Sequence, residues 1–216
     1  MEFVESHTVL SSSDNTGIRY LALGDSYTKA ECEIPENSYP YKLSEKFKAK
    51  GIKISSRTII AQTGWRTDNL KDAVNAAALE DTFDLVSLLI GVNNQFQGKS
   101  PENYRIEFRD LLETAIYYAK GRKDKVFVLS IPDYGATPYG SRNSTYIGQQ
   151  INLFNAINKE VTNSMGVKYF DITPISREAR KDDALTCTDN LHPSGKMYDR
   201  WVALMLPEVE QMIAKP

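Results

Sequence analysis

The stretch IRYLALGDSY, residues 18–27, decides the fold class of this chain. Its first six residues form a short, mostly apolar run, which predicts a buried strand. The Gly24-Asp25-Ser26 segment that follows predicts a tight turn at the end of that strand. Taken alone, this segment favours a plain interpretation in which Ser26 caps the next segment and Asp25 is a turn residue. A serine hydroxyl in this position is also well placed to face a cleft, so Ser26 is a candidate nucleophile.

Working outward from this stretch, apolar runs alternate with segments of helical periodicity. Residues 83–90 and 126–131 are apolar enough to be central strands, and the patterns at 52–55 and 167–170 predict weaker ones. Helices are predicted between and after the strands. They cover residues 39–50, 67–79, 100–121, a segment marked by 147–161, and a last helix from 194 to about 213, which Pro207 should kink or interrupt.

Five strands with helices between them predict a parallel sheet covered by helices on both faces, a flavodoxin-like three-layer α/β/α domain. Strong strands in mid-sequence and weak ones at residues 52 and 167 suit the strand order 2-1-3-4-5. Ligands of such sheets bind beyond the carboxyl ends of the strands, where Ser26 is predicted to lie. The 216 residues fit one domain, residues 18–216, preceded by a polar tail or lead-in at residues 1–17.

Composition narrows the class of protein further. Hydrophobic residues make up 41% and charged residues 25% of the chain, as in ordinary globular domains. The formal net charge of -2 gives no electrostatic footprint for nucleic acid. The longest strongly apolar run, residues 85–90, is too short to span a membrane. We therefore expect neither nucleic acid nor an integral membrane segment, and the oligomeric state stays open.

The N-terminus bears on where the protein works. Glu2 and Glu5 stand where a signal peptide would have a basic start, and no long apolar stretch follows them. We therefore expect a cytoplasmic protein, or a periplasmic or secreted one if a leader has been removed.

A histidine near the C-terminus changes the interpretation of Ser26. The chain has two histidines, and His7 lies in the predicted tail. His192 follows the fifth predicted strand, three residues after Asp189. A short loop can bring this carboxylate to the imidazole Nδ1 and leave Nε2 for a serine. A turn before the last helix is the plain alternative, and the more distant Asp182 and Asp183 are rival carboxylates.

Acyl transfer also needs hydrogen-bond donors for an oxyanion. Gly64 follows the second predicted strand, and a glycine there lets its backbone N–H approach a substrate closely. Asn93 follows the third strand, and its side-chain amide is a second candidate donor. Each residue has a plain turn interpretation in isolation. Together with Ser26 and His192, however, they place four such features just past four different strands.

These residues give the chain its resemblance to a known family. Gly24-Asp25-Ser26-Tyr27, Gly64, Gly91-Val92-Asn93 and Asp189-Asn190-Leu191-His192-Pro193 resemble the four blocks of the SGNH hydrolases, also called GDSL esterases/lipases. The resemblance spans about residues 18–213. It implies the three-layer fold, a Ser26–Asp189–His192 triad, and an oxyanion hole made by the Ser26 and Gly64 N–H groups and the Asn93 amide.

Two positions depart from the family pattern. Asn94 stands where the family usually has Asp, and Tyr27 stands where Leu or Ile is more frequent, which narrows or polarises the pocket edge. These two residues belong to a wider set of candidate pocket residues near the predicted site. The set is Asp25, Tyr27, Trp65, Asn94, Phe96 and Tyr134.

The expected function is that of a serine carboxylester hydrolase that works through an acyl-enzyme on a small-molecule ester. A lysophospholipase-like enzyme and a carbohydrate O-acyl esterase both stay open as subclasses. The alternatives are a binding module of the same fold without turnover and an acyltransferase on the same site. No cofactor and no metal are expected, because the sequence has neither a phosphate-binding glycine motif nor a metal-ligand spacing. The absence of a G-x-S-x-G motif disfavours an ordinary α/β-hydrolase.

The two cysteines, Cys32 and Cys187, fall in loops that should flank the predicted cleft. A disulfide between them is geometrically possible. Because sequence alone does not place their Cα atoms, we expect two free thiols rather than a disulfide.

Overall fold

A computed structural model describes residues 17–79 and 82–214. A five-stranded parallel sheet runs through them in the predicted order, β2-β1-β3-β4-β5. The predicted tail lies outside the described residues apart from Gly17. The strands are β1 (Ile18–Asp25), β2 (Ile54–Gln62), β3 (Leu85–Leu89), β4 (Val126–Leu129) and β5 (Lys168–Phe170).

Helices connect the strands and form the two outer layers. The α2 and α8 helices pack together, and α3, α5 and α6 form a second group. Short 3₁₀ turns at 35–37, 123–125, 134–136, 141–143, 178–180 and 183–185 complete the connections. The helices are α1 (Ser26–Lys29), α2 (Tyr39–Ala49), α3 (Thr67–Ala76), α4 (Val92–Phe96), α5 (Pro101–Tyr118), α6 (Ser144–Ser164), α7 (Thr173–Arg177) and α8 (Gly195–Ala214).

The apolar strands β3 and β4 are buried at every position, as expected for the centre of a sheet covered on both faces. One polar residue stands inside β3. The Ser87 hydroxyl lies 2.8 Å from the Tyr20 hydroxyl and 3.1 Å from the Tyr39 hydroxyl. This buried hydroxyl group satisfies its own hydrogen bonds and joins the sheet to α2.

The edge strand β2 is longer than its apolar pattern predicted. It continues through the polar Ser55–Thr58 to Gln62, because the backbone of β1 pairs with it along all eight residues from Ile18 to Asp25. An edge strand is half exposed, so polar side chains do not end it. The Arg57 guanidinium of β2 lies over the Tyr41 ring of α2, 4.0 Å from the ring centre.

Of the kink or interruption predicted at Pro207, the interruption was wrong, since α8 runs unbroken from Gly195 to Ala214. Proline removes one hydrogen bond to the carbonyl of the fourth residue before it, here Ala203. Both Pro207 and Ala203 are exposed, so water can take the place of the missing N–H. The opposite face of the helix, with Trp201 and Met205, is fully buried and holds α8 in place.

Among the described residues, no helix combines the length and the apolar character needed to cross a membrane.

Candidate active site

The turn that carries Ser26 is built on a glycine that no other residue can replace. A Cβ atom on Gly24 would lie 2.0 Å from Thr28 Oγ1 and 2.6 Å from the Leu89 carbonyl oxygen. The missing side chain lets α1 fold back tightly at the end of β1. Ser26 is the first residue of α1, and the first N–H groups of a helix have no acceptor within the helix. Its N–H is therefore available to a ligand.

Asp25 lies beneath this turn instead of in a pocket. Its Oδ1 accepts a hydrogen bond from the Tyr27 N–H at 3.0 Å and so caps α1. Its Oδ2 has no hydrogen-bond partner in the described part of the chain. Burial of the carboxyl group raises the pKa of Asp25 to about 7. The residue therefore supports the Ser26 turn from inside the protein and is not part of the cavity lining.

Asp189 and His192 form the pair that their spacing predicted. The His192 Nδ1 atom is 2.6 Å from Asp189 Oδ2. The other carboxylate oxygen accepts the N–H groups of Leu191 and His192, each at 2.9 Å. Partial burial acts to raise the pKa of Asp189, but these three hydrogen bonds outweigh it and hold the pKa below its usual value. An ionised carboxylate only accepts hydrogen bonds, so it fixes the proton on Nδ1 and leaves Nε2 as a base.

The rival carboxylate Asp182 is engaged elsewhere. It accepts the Ala184 N–H at 3.2 Å and pairs with the Lys196 ammonium at 2.7 Å.

A disulfide joins the loop that carries His192 to the loop that follows Ser26. Cys32 and Cys187 are bonded, with their Cα atoms 6.2 Å apart, so the expectation of two free thiols was wrong. The two residues are 155 positions apart in sequence. Only the fold brings them together, which is why sequence alone left the pairing open.

The second half of the site lies at the ends of β2 and β3. Gly64 has a φ of +83°, a left-handed conformation that favours glycine. Its carbonyl accepts a hydrogen bond from Gln97 Nε2 at 3.1 Å. The Gln97 Oε1 atom in turn accepts from Arg66 at 2.5 Å. Gln97 directly follows α4, so these hydrogen bonds fix the loop around Gly64 to the C-terminal end of that helix.

Asn93 is held by the same pair of loops. Its Nδ2 donates one hydrogen bond to the Trp65 carbonyl at 2.9 Å, which leaves the second N–H of the amide for a ligand. The neighbouring Asn94 is buried. Its Oδ1 accepts the Thr67 N–H at 3.1 Å, and its Nδ2 donates to the Thr67 hydroxyl at 2.6 Å. Asn94 therefore ties α4 to the start of α3 although the family usually has Asp there.

One cavity of about 130 Å³ opens between the two halves. Ser26 and His192 both line it, without a direct hydrogen bond between them among the described residues. Such contacts are often long in unliganded enzymes. Of the predicted site residues, the cavity is lined by Ser26, Tyr27, Gly64, Asn93, Phe96, Tyr134 and His192.

Three of the predicted pocket residues lie outside the cavity lining. Asp25 and Asn94 point into the protein, and Trp65 contributes its carbonyl to Asn93. Tyr139 completes the aromatic part of the lining, and three lining residues had not been predicted, namely Thr63, Val92 and Leu191. Thr63, Val92 and Leu191 each directly precede a predicted site residue, and this adjacency was a usable signal. Gln97, which orders Gly64, is likewise next to a predicted residue, Phe96, but nothing in the sequence indicated its contact with Gly64.

No group of three or more potential metal-ligating side chains occurs within residues 17–79 and 82–214.

The fold has three layers, α/β/α, and the cavity that Ser26 and His192 line opens beyond the carboxyl ends of the strands. The chain belongs to the GDSL-like lipase/acylhydrolase family, whose sequence profile matches residues 22–200. The predicted family and the predicted class of enzyme, a carboxylic ester hydrolase, are thereby confirmed. No curated protein matches the chain in a sequence search.

Solved structures of low sequence identity share the fold. TesA is 15% identical with a TM-score of 0.72, covering 90% of this chain and 99% of its own. The esterase EstA from Pseudoalteromonas sp., solved with monoethylphosphonate as inhibitor, is 16% identical with a TM-score of 0.68 and coverages of 91% and 99%. The acetylxylan esterase Axe2 from Geobacillus stearothermophilus is 18% identical with a TM-score of 0.67 and coverages of 89% and 94%.

Proposed function

We propose that this protein hydrolyses small carboxylic esters through an acyl-enzyme on Ser26, with the Asp189–His192 pair as the base. The observation that carries the proposal is the Asp189–His192 pair at 2.6 Å, with His192 on the wall of the same cavity as Ser26. A neutral imidazole with its proton held on Nδ1 can remove a proton from a serine hydroxyl.

In the first half of the reaction the Ser26 Oγ attacks the ester carbonyl carbon while His192 Nε2 takes the hydroxyl proton. The Asp189 carboxylate stabilises the imidazolium that forms. The carbonyl oxygen becomes an oxyanion. The N–H groups of Ser26 and Gly64 and the Asn93 amide are the proposed donors to it. His192 then gives its proton to the leaving alcohol, and an acyl group remains on Ser26.

In the second half a water molecule takes the place of the alcohol. His192 removes a proton from the water, which attacks the acyl carbon and passes through the same oxyanion. Collapse of this intermediate releases the carboxylic acid and returns the proton to Ser26. An alcohol that entered instead of water would make the protein an acyltransferase on the same site.

The cavity volume supports a short acyl group. At about 130 Å³ the cavity is well below the ~300–1,000 Å³ range of pockets for drug-sized ligands. Phe96, Tyr134, Tyr139 and Leu191 give one side of it an apolar surface. The structural similarity to Axe2, named as an acetylxylan esterase, agrees with acetyl esters. We therefore propose short-chain esters, acetylated sugars included, over long-chain lysophospholipids.

The test compares p-nitrophenyl acetate, butyrate and octanoate with the wild type and with the Ser26→Ala and His192→Ala variants. We expect the highest kcat/KM on the shorter esters and a loss of roughly 10⁴-fold or more in kcat for both variants. Unchanged turnover in Ser26→Ala would contradict the mechanism. A folded wild type without turnover on any ester would favour the binding module instead.

The disulfide supports an oxidising compartment. Such bonds persist in periplasmic and secreted proteins and are rare in the cytosol. We propose that the protein works outside the cytosol. Alkylation of free thiols in cells of the source organism tests this, since it should leave both cysteines unmodified. Modification of Cys32 and Cys187 would indicate a cytosolic, reduced protein.

A further inference from the structure

The disulfide occupies a special place relative to the two candidate catalytic loops. Cys32 lies six residues after Ser26, and Cys187 lies five residues before His192. Neither the loop around His192 nor the segment after α1 is a strand of the sheet. The bond therefore connects two segments that no sheet hydrogen bond holds together.

At one end, the backbone couples Cys187 directly to His192. The Cys187 N–H donates to the His192 carbonyl at 2.7 Å, and Thr186 and Pro193 form an isolated antiparallel bridge beside this bond. The Asn190 N–H also donates to the Cys187 carbonyl at 3.0 Å. Residues 186–193 thus form one small closed loop, and a displacement of Cys187 moves His192 with it.

At the other end, a short turn couples Cys32 to Ser26. The N–H of Glu31 donates to the Ser26 carbonyl at 3.0 Å. Ala30 and Cys32 both have left-handed backbone conformations, with φ of 64° and 72°, which side chains other than glycine seldom adopt. A backbone of this kind persists only where the surrounding structure constrains it, and the disulfide is one of those constraints here.

Other ties between the same regions act elsewhere. The Gly195 N–H donates to Glu33 Oε1 at 2.8 Å, and the Tyr198 hydroxyl donates to the Tyr27 carbonyl at 3.0 Å. Both hold the start of α8, not the loop with His192. Without the disulfide, α8 keeps its place while the closed loop loses its covalent tie to the segment after Ser26. Cys32 is exposed, so a reductant can reach the bond.

We propose that the Cys32–Cys187 disulfide is a positioning element that holds His192 against Tyr27 and in reach of Ser26, so that the oxidised enzyme is active and the reduced enzyme is largely inactive. This inference rests on the proposed function for the roles of Ser26 and His192. It makes activity depend on the redox state of the compartment. In a reducing compartment the enzyme has little activity, and oxidation of the two thiols to the disulfide activates it.

A water-soluble phosphine is the reductant for the test, because it contributes no thiol that could attack an ester. It attacks one sulfur and breaks the S–S bond, and hydrolysis of the adduct gives two cysteine thiols and the phosphine oxide. The two electrons come from the phosphine, and the oxide oxygen and both thiol protons come from water. The excess phosphine is removed before assay.

We expect reduction to lower kcat on p-nitrophenyl acetate by roughly 10- to 100-fold and to change KM less than twofold, because the base is misplaced while the cavity remains. Reoxidation should restore kcat. The Cys32→Ser and Cys187→Ser variants should resemble the reduced wild type and should not respond to the phosphine. A kcat for the reduced wild type within twofold of the oxidised value would overturn the proposal.

Leu112→Ala is the matched control for general loss of stability. Leu112 is fully buried in α5, outside the cavity lining, and we expect its truncation to lower Tm about as much as disulfide removal does. We expect its kcat at 25 °C to stay near that of the wild type. An equal loss of kcat in Leu112→Ala and in the cysteine variants would contradict a positioning role.

Proton NMR of the histidine rings gives a readout independent of turnover. The His192 ring lies edge-on to Tyr27, with centroids 5.8 Å apart, so the Tyr27 ring current shifts its resonances. The chain has two histidines, and His7→Ala assigns the signals. We expect the His192 shift to move towards the unstructured value on reduction. An unchanged shift overturns the positioning role, whereas an oxidised wild type that hydrolyses no ester refutes the proposed function alone.

Discussion

The two halves of the candidate site are built in different ways. Gly64 lies two residues after the end of β2, and Asn93 lies at the start of α4, four residues after the end of β3. Neutral amide hydrogen bonds link these segments, from Asn93 to the Trp65 carbonyl and from Gln97 to the Gly64 carbonyl. His192 instead lies on an irregular loop beyond β5. Backbone hydrogen bonds order that loop as well, including one from the Tyr139 N–H to the Asn190 carbonyl, but a charged hydrogen bond and a disulfide are added to them.

The difference shows what a parallel sheet can and cannot position. Strand ends at one edge of the sheet bring the candidate oxyanion donors together with Ser26 and need only short amide contacts to fix them. The proposed base, His192, comes from a longer connection that the sheet does not order. Its position therefore depends on a few strong local ties, and loss of one tie in this half should cost more than loss of one in the other.

Asp189→Asn breaks the base half and should have the largest effect. An asparagine donates an N–H to Nδ1, which places the imidazole proton on Nε2 and removes the base. We expect kcat on p-nitrophenyl acetate to fall by roughly 10⁴-fold with little change in KM. Asp182→Asn, which changes a carboxylate paired with Lys196, is the matched control and should retain kcat within twofold. A loss below tenfold in Asp189→Asn would contradict the role of this pair.

Asp25→Asn separates stability from chemistry, because this carboxyl lies beneath the site. Its folded pKa of about 7 exceeds the unfolded value of ~3.9, so the unfolded state loses the proton first as pH rises. The free energy of unfolding of the wild type should therefore fall between about pH 4 and pH 7 by up to ~4 kcal/mol from this group. Urea unfolding should show that Asp25→Asn removes this decline. The same pH dependence of stability in both proteins would refute a raised pKa of the buried Asp25 carboxyl group.

Asn93→Ala tests the oxyanion half. The variant loses a donor that acts only when charge develops on the carbonyl oxygen, so kcat should fall by roughly 10²–10³-fold while KM changes little. Steady-state kinetics on p-nitrophenyl acetate measures it, and the exposed Asn103→Ala in α5 is the control. If instead KM rises and kcat is unchanged, Asn93 binds the substrate in its ground state.

Gln97→Ala should have the smallest effect, because it removes one neutral hydrogen bond that orders Gly64 and one exposed hydrogen bond with Arg66. We expect about a fivefold loss of kcat, which corresponds to ~1 kcal/mol. The exposed Gln149→Ala in α6 serves as the matched control. A loss as large as that of Asn93→Ala would mean that Gln97 contacts the reacting group itself, and it would contradict an effect through Gly64 alone.

The sequence predicted the parts of the molecule that local patterns encode. Apolar runs marked β3 and β4, and the turn after β1 was readable from Gly24-Asp25-Ser26. The three-residue spacing of Asp189 and His192 predicted their contact, because a short loop has few ways to close. These features depend on neighbours in the chain, so they needed no knowledge of the whole fold.

Features that depend on distant parts of the chain escaped prediction. The length of β2 follows from its pairing with β1, and the unbroken α8 follows from its buried face and the exposed Pro207. The disulfide needs Cα positions that only the assembled fold supplies. Gln97 reaches Gly64 across 33 positions of sequence, and no local pattern marks such a contact.

The most direct test of the central claim is mass spectrometry after incubation of the oxidised protein with a fluorophosphonate probe. The probe forms a stable adduct with a serine that an adjacent base activates. We expect one adduct on the peptide that contains Ser26, much slower labelling in His192→Ala, and none in Ser26→Ala. A folded, oxidised protein that forms no adduct, or an adduct on another serine that persists in Ser26→Ala, would contradict that claim.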